Sequence, residues 1–224
     1  MSKRGLVLAA LCWAAALDAA PRTATAQERV VFGWDGRVGA DGVPRPWRFR
    51  KWAPLLGRDY TAESRVVESP GGKALYVKSV RSGFIVGTKR DVDVSVYRNV
   101  SWSWKAETLP RGASFKRRGT NDQALQLLFG FEGGKVVGYI WDSTGRAGAS
   151  GSGLAWREDV RVIVVEAGPS KVGRWITENR NLHEDFRRLF DRDPPTLKGV
   201  AVQSNSQHTR SAGAGYVGKI VLSR

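Results

Sequence analysis

Residues 99–106 read Asn-Val-Ser-Trp-Ser-Trp-Lys-Ala, with strict alternation of polar and apolar side chains. Successive side chains of a β-strand point to opposite faces of its sheet. The alternation therefore places Val100, Trp102, Trp104 and Ala106 on one face and the polar residues on the other. This stretch predicts a strand with one face in a core and the other in water.

Nine further segments have the composition of short strands. They are rich in Val, Ile, Phe, Tyr and Trp, and Gly, Pro, Asn or Asp separates them. They cover residues 29–34, 62–68, 73–80, 84–88, 123–131, 136–142, 161–166, 197–203 and 216–222. About ten short strands predict an all-β protein, either a sandwich or a barrel.

One segment has the periodicity of a helix. Its apolar residues recur at the spacing of a single helical face: Leu182, Phe186, Leu189 and Phe190. Asn181 is suited to cap the N-terminus, because its side-chain oxygen can accept a hydrogen bond from the first turn. Two prolines follow at residues 194–195 and cannot continue a helix. We predict one short helix near residues 181–191, packed on a sheet edge.

The rest of the chain gives no sign of a second domain. Residues 143–153 read STGRAGASGSG, a low-complexity stretch between two predicted strands, which we interpret as a mobile surface loop. The sequence contains no repeat of 20 to 50 residues and no Pro/Ser-rich linker. We therefore predict that residues 27–224 form a single β-sandwich domain.

The N-terminus has the features of an export signal. Lys3 and Arg4 precede an apolar run at residues 5–17, and residues 24–26 read Ala-Thr-Ala, a small-x-small cleavage site. The apolar run is too short for a membrane span, which takes about 20 residues. We predict a signal peptide at residues 1–26 and a periplasmic or extracellular protein.

Composition narrows the possible chemistry. The 224 residues carry a formal net charge of +15, and loss of the signal peptide would leave +13. The one cysteine, Cys12, and the one methionine, Met1, would leave with that peptide. The mature chain would then have no disulfide, thiol nucleophile or thiolate metal site. We expect no cofactor and no metal.

The order of short motifs along the chain resembles a known family. The motifs are Asn121-Asp122-Gln123, Phe129-Gly130-Phe131, Tyr139-Ile140-Trp141-Asp142, Trp175 with Glu178, Arg180 and Asn181, Asp185-Phe186, Pro194-Pro195, residues 199–202 (GVAV) and residues 216–220 (YVGKI). In this order they resemble a family of exported bacterial proteins described only as a domain of unknown function. The resemblance covers about residues 34–224.

This resemblance implies a jelly-roll-like β-sandwich of the kind seen in carbohydrate-binding modules, with no established activity. It also reveals a departure. Similar sequences usually carry an acidic Asp-x-Asp-Asn-Thr turn before the last strand, whereas residues 205–209 here read Asn-Ser-Gln-His-Thr. Because hard cations prefer charged oxygen ligands, we do not expect calcium at this turn.

Two acids could form a catalytic pair. Asp122 and Asp142 are predicted at the ends of neighbouring strands, and two carboxylates across a groove can cleave a glycosidic bond. Other acids considered are Glu132, Glu178 and Asp185. The competing interpretation of Asp122 and Asp142 is turn chemistry, since Asp commonly caps strand ends. The two histidines, His183 and His208, offer little support for a nucleophilic triad.

Eight tryptophans would remain in the mature chain, and exposed indole rings can stack on the apolar faces of sugars. We expect Trp102, Trp104, Trp141 and Trp175 to be in the core. Three others lie in loop-like, Arg-rich surroundings and are predicted to form an exposed platform: Trp47, Trp52 and Trp156.

Cations accompany these aromatic residues. Residues 45–51 (RPWRFRK) contribute Arg48 and Arg50, and a predicted loop contributes Lys116, Arg117 and Arg118. Such clusters attract phosphate or carboxylate polymers. Basic grooves with aromatic side chains also bind single-stranded nucleic acid, but export argues against that partner.

Together these features predict an exported β-sandwich that binds an anionic polysaccharide or another cell-envelope component without catalysis. One alternative is a carbohydrate-active enzyme that uses Asp122 and Asp142. Another is a structural envelope protein without a small ligand. The oligomeric state is left open.

Overall fold

The chain builds two sheets whose inner faces pack together, as the alternation at residues 99–106 indicated, and all strand pairs but one are antiparallel among the described residues. The computed structural model describes residues 29–52, 60–154 and 157–224. These contain strands β1 (Arg29–Phe32), β2 (Arg48–Trp52), β3 (Thr61–Ser69), β4 (Gly72–Val80), β5 (Gly83–Val92), β6 (Asn99–Thr108), β7 (Gln126–Phe131), β8 (Val136–Asp142), β9 (Ser150–Leu154), β10 (Arg157–Ala167), β11 (Ile176–Asn181), β12 (Leu197–Asn205) and β13 (Ala212–Ser223), and helix α1 (Leu182–Phe190).

The first sheet has the strand order β11-β6-β13-β4-β3. The long strand β13 also pairs with β1, along its last residues 220–223. The second sheet has the order β2-β5-β12-β7-β8-β10-β9, and its β8 and β10 are parallel neighbours. The fold is thus a jelly-roll-like β-sandwich, as predicted.

Aromatic residues fill the space between the sheets. Trp102 of β6 stacks on Tyr139 of β8 with ring centroids 5.1 Å apart, and Trp104 packs against Trp141 at 5.9 Å. All four side chains are almost completely buried. Burial of such large rings contributes much of the stability of a sandwich that has no disulfide.

Helix α1 connects β11 to β12 and begins as predicted. The side chain of Asn181 accepts a hydrogen bond from the backbone N–H of Glu184, at 2.9 Å. Leu182 and Phe186 are buried, and the ring of Phe186 lies 4.5 Å from that of Phe131. The helix ends at Phe190, before the two prolines, because Asp191 adopts a left-handed conformation.

The described residues contain thirteen strands rather than about ten. The sequence analysis missed β2, β9 and β11. Strand β9 begins at Ser150, so the interpretation of residues 143–153 as a loop throughout was wrong. Its Gly/Ser-rich residues pair antiparallel with β10, which shows that backbone hydrogen bonding by a neighbour can outweigh low strand propensity.

The predicted signal peptide, residues 1–26, lies outside the described residues. Within the part of the chain that the structure covers, no helix combines the length and the apolar character needed to cross a bilayer.

Candidate functional site

An open groove crosses the outer face of the second sheet, over strands β2, β5, β12 and β7. It has a volume of about 850 Å³. Its floor consists of small and aliphatic residues that point away from the core: Ile85, Gly87, Leu128, Gly130, Gly199 and Ala201. Gly87 lies opposite Ala201 in the ladder, and a Cβ there would approach the Cβ of Ala201 to 3.3 Å. The groove therefore exists because the side chains on this part of the sheet are small.

Four cations line this groove: Arg48, Arg50, Lys89 and Lys198. Among the described lining residues there is no carboxylate. Lys198 forms an ion pair with Asp91 at 2.5 Å, whereas Arg48 and Arg50 form no ion pair with any described residue. A groove lined by one sign of charge raises the local concentration of ligands of the opposite sign.

Strand β2 explains how the two arginines come together. Side chains two residues apart on a strand share a face and lie about 6.8 Å apart along it. Arg48 and Arg50 therefore both point outward, while Phe49 between them packs on Phe84 at 5.1 Å. The sequence analysis placed these arginines in a loop, whereas they lie on a strand that borders the groove. The sequence analysis missed Lys89 and Lys198. Each occupies an outward-facing position on its strand, and this position is the signal that could have identified it.

The other predicted cations lie elsewhere on the same sheet face. Lys116 and Arg118 line a smaller pocket of about 300 Å³ with Phe115, Asn121 and residues 150–152 of β9. Arg117 is exposed between them. Phe115 packs on Ile140, Val162 and Val164, which face outward from β8 and β10. The predicted basic residues thus form two separate groups, one at each pocket.

The structure does not support the predicted tryptophan platform at Trp47. This side chain is only 2% exposed, lies 4.2 Å from the ring of Trp34, and donates a hydrogen bond to the carbonyl oxygen of Gly33. Its Arg-rich neighbours indicated exposure, but the indole fills the core beneath β2. The side chain of Trp52 and residue Trp156 lie outside the described residues. Trp175, expected in the core, is half-buried on the outer face of the first sheet.

Asp142 has a structural role in this fold. It ends β8 and is fully buried. Its carboxylate accepts hydrogen bonds from the backbone N–H groups of Phe115 (2.8 Å), Thr144 (3.0 Å) and Gly145 (2.6 Å). This is the turn chemistry that competed with the catalytic interpretation. The carboxylate also attaches the loop that carries Lys116 to the sheet.

Asp122 is fully buried as well. It accepts hydrogen bonds from Asn205 Nδ2 (3.0 Å) and from the backbone N–H and hydroxyl of Thr209 (2.6 and 2.8 Å). His208 Nδ1 lies 3.1 Å from its Oδ1. Hydrogen-bond donors therefore surround this carboxylate. The altered turn at residues 205–209 supplies donors where a cation would need acceptors, and no cluster of three potential metal ligands occurs among the described residues.

A second pair of acids, Glu166 of β10 and Glu178 of β11, lies close together. Glu166 is buried and pairs with Lys171 at 2.6 Å, while Glu178 accepts a hydrogen bond from Trp104 Nε1 at 3.3 Å. Burial raises the pKa of Glu178, and the negative charge of Glu166 raises it further. The sequence analysis named Glu178 but not Glu166, because the two acids lie on strands of different sheets.

The raised pKa of Glu178 makes folding pH-dependent. An acid with a higher pKa in the folded state contributes stability below its unfolded pKa, and this contribution is lost as pH rises through the folded pKa. We expect Glu178→Gln, which keeps the acceptor for Trp104, to reduce this loss of stability at rising pH. Thermal melting of both proteins between pH 4 and 7 measures it. A wild-type melting temperature that falls no more steeply with pH than that of the variant would contradict this.

The fold resembles carbohydrate-related domains at low sequence identity. A family 11 carbohydrate-binding module from Clostridium thermocellum, in complex with a β-1,3-1,4-mixed-linked tetrasaccharide, is 12% identical, with a TM-score of 0.43 over 87% of this chain and 94% of that one. The xyloglucanase domain of NopAA, a type three effector from Sinorhizobium fredii in complex with cellobiose, is 12% identical, with a TM-score of 0.40 over 80% and 96%.

No curated protein matches the sequence. A family model does match, over residues 50–221, and its description is "Protein of unknown function (DUF3047)". The matched region runs from Arg50 in β2 into β13. It includes the two buried aspartates, Lys116 and Arg118 of the smaller pocket, and the groove except for Pro46 and Arg48. It also agrees with the motif order noted in the sequence. This chain therefore belongs to the DUF3047 family of proteins of unknown function.

Proposed function

We propose that this protein binds an anionic polysaccharide in the groove on its second sheet and acts by binding rather than by catalysis. One observation carries the proposal: an open groove in which four cations and no described carboxylate surround a floor of small and aliphatic residues. Aliphatic side chains can contact the C–H faces of sugar rings, and the arginines can form charge-assisted hydrogen bonds with carboxylates. Export of the mature chain, residues 27–224, is part of this proposal.

The burial of Asp122 and Asp142, the two acids of the enzymatic alternative, favours a binding role. The oxygens of Asp122 and Asp142 accept hydrogen bonds from protein donors, and neither side chain is exposed. A general acid or nucleophile must reach the glycosidic oxygen or the anomeric carbon. Two buried carboxylates that hold turns do not meet this requirement.

The test is the affinity of the purified protein for polygalacturonate, a linear carboxylate polymer, and for its fully methyl-esterified form. We expect Arg48→Ser combined with Arg50→Ser to weaken polygalacturonate binding at least about tenfold, or about 1.4 kcal/mol. The reason is that both side chains line the groove and form no ion pair with a described residue. The methyl ester should bind wild type and variant alike.

A matched control removes two exposed cations that lie outside the groove, Arg174→Ser with Lys219→Ser. This pair changes the net charge by the same amount. Equal loss of affinity in both double variants would contradict a groove site, because it would indicate general attraction between a polycation and a polyanion.

A further inference from the structure

A single row of residues connects the groove to the smaller pocket. In the ladders of the second sheet, Arg48 pairs with Gly87, Gly87 with Ala201, Ala201 with Leu128, Leu128 with Gly138, Gly138 with Val162, and Val162 with Gly151. The row therefore crosses all seven strands, from the arginines on β2 to the pocket beside β9. Both depressions lie on one line, perpendicular to the strands.

Cations mark both ends of this row. Arg48 and Arg50 line the groove end, and Lys116 and Arg118 line the pocket end. Six strand spacings separate β2 from β9, which corresponds to about 29 Å. The two ends are thus too far apart for one monosaccharide and suit a linear polymer.

The middle of the row is apolar and filled. A Cβ at Gly138 would lie 3.0 Å from Leu128 Cδ2 and 3.0 Å from Val162 Cγ1, so these two side chains approach each other across the glycine. We call Leu128, Gly138 and Val162 the saddle. It provides carbon surface without a charge, over which a sugar chain can pass between the two basic ends.

The pocket end is held in place by the buried turn described above. Asp142 binds the backbone N–H of Phe115, the residue before Lys116. The ring of Phe115 lies against Gly151, where a Cβ would approach its Cε2 to 3.4 Å. The loop that carries the second pair of cations is therefore attached to the sheet.

We propose that groove, saddle and pocket form one binding track for a linear, carboxylate-bearing polysaccharide, with two basic subsites about 29 Å apart. The inference rests on the proposed function of the groove and adds a second subsite at Lys116 and Arg118. Two linked subsites raise affinity only for ligands long enough to occupy both. The track therefore predicts selection for polymer length.

The experiment measures the affinity of the purified protein for a length series of oligogalacturonates. We expect fragments longer than about 29 Å to bind about 100-fold more tightly than fragments of half that length. Lys116→Ser with Arg118→Ser should abolish this difference, because it should weaken the binding of long fragments far more than that of short ones. Lys116→Ser alone should reduce the difference, and because this side chain is exposed it tests the site without changing the turn at residues 118–120.

The outcomes separate the two proposals. If the Lys116/Arg118 variant binds long fragments as tightly as wild type, or weakens short and long fragments equally, the track is wrong. The proposed function of the groove is still supported in that case, provided that the Arg48/Arg50 variant binds all fragments more weakly than the Arg174/Lys219 control. If the Arg48/Arg50 variant binds every fragment as wild type does, the proposed function fails, and the track fails with it.

Discussion

We expect Asp142→Ala to lower the free energy of unfolding by about 4 kcal/mol, because each buried donor left without its acceptor costs about 1–3 kcal/mol. Three backbone N–H groups, those of Phe115, Thr144 and Gly145, lose their acceptor in this variant. Urea denaturation of wild type and variant measures the difference. The effect is large because one carboxylate holds both the turn after β8 and the loop before Lys116.

Two comparisons sharpen this test. Asp142→Asn keeps one acceptor oxygen and should cost less than the alanine variant. Asp159→Ala removes an exposed acid paired with Lys135 and should change stability by less than about 1 kcal/mol. Removing an acid that serves catalysis alone usually leaves stability unchanged or raises it. An alanine variant at position 142 as stable as wild type would therefore overturn the structural role and revive the enzymatic alternative.

The second large effect concerns Trp47. We expect Trp47→Ala to destabilise the protein by about 4 kcal/mol, as large-to-small changes of buried aromatic residues do. The variant loses the contact with Trp34 and the hydrogen bond to Gly33, and leaves a cavity beneath β2. The shift in the urea midpoint measures this cost.

A milder variant separates packing from ligand binding at this position. Trp47→Phe keeps most of the ring volume, so its backbone should hold Arg48 in place. We expect its affinity for polygalacturonate to match that of wild type. A selective loss of affinity in a stable Trp47→Phe protein would show that the indole contacts the ligand, as the sequence analysis predicted.

Local patterns predicted most of the fold correctly. The alternation around Trp102 and Trp104 found β6, and the spacing of Leu182 and Phe186 with the cap at Asn181 found α1, because both signals depend only on neighbours in sequence. Strand β9 has no such signal, since glycine and serine have low strand propensity and its pairing with β10 determines its conformation. Strand β2 did have a weak signal, as Arg48 and Arg50 alternate with Phe49.

The candidate site was less accessible to sequence reasoning. Composition identified Arg48 and Arg50 as ligand-binding candidates, but the groove depends on which strands are neighbours. Gly87, Ala201 and Leu128 meet only because β12 lies between β5 and β7. The prediction that Trp47 is exposed was wrong for the same reason, since nothing near it in sequence reveals that Trp34 covers its ring. The register across strands, rather than any single motif, determines the site.

The strand order has a consequence for how the chain acquires its structure. The last two strands occupy interior positions: β12 separates β5 from β7, and β13 separates β4 from β6. A nascent chain that emerges N-terminus first therefore has neither sheet complete until residues 197–223 have been made. Pairing between such distant segments is slow, because long loops must close before their contacts form. Local pairs such as β3 with β4 can form early, but the two sheets are joined into continuous layers only when the last two strands enter them.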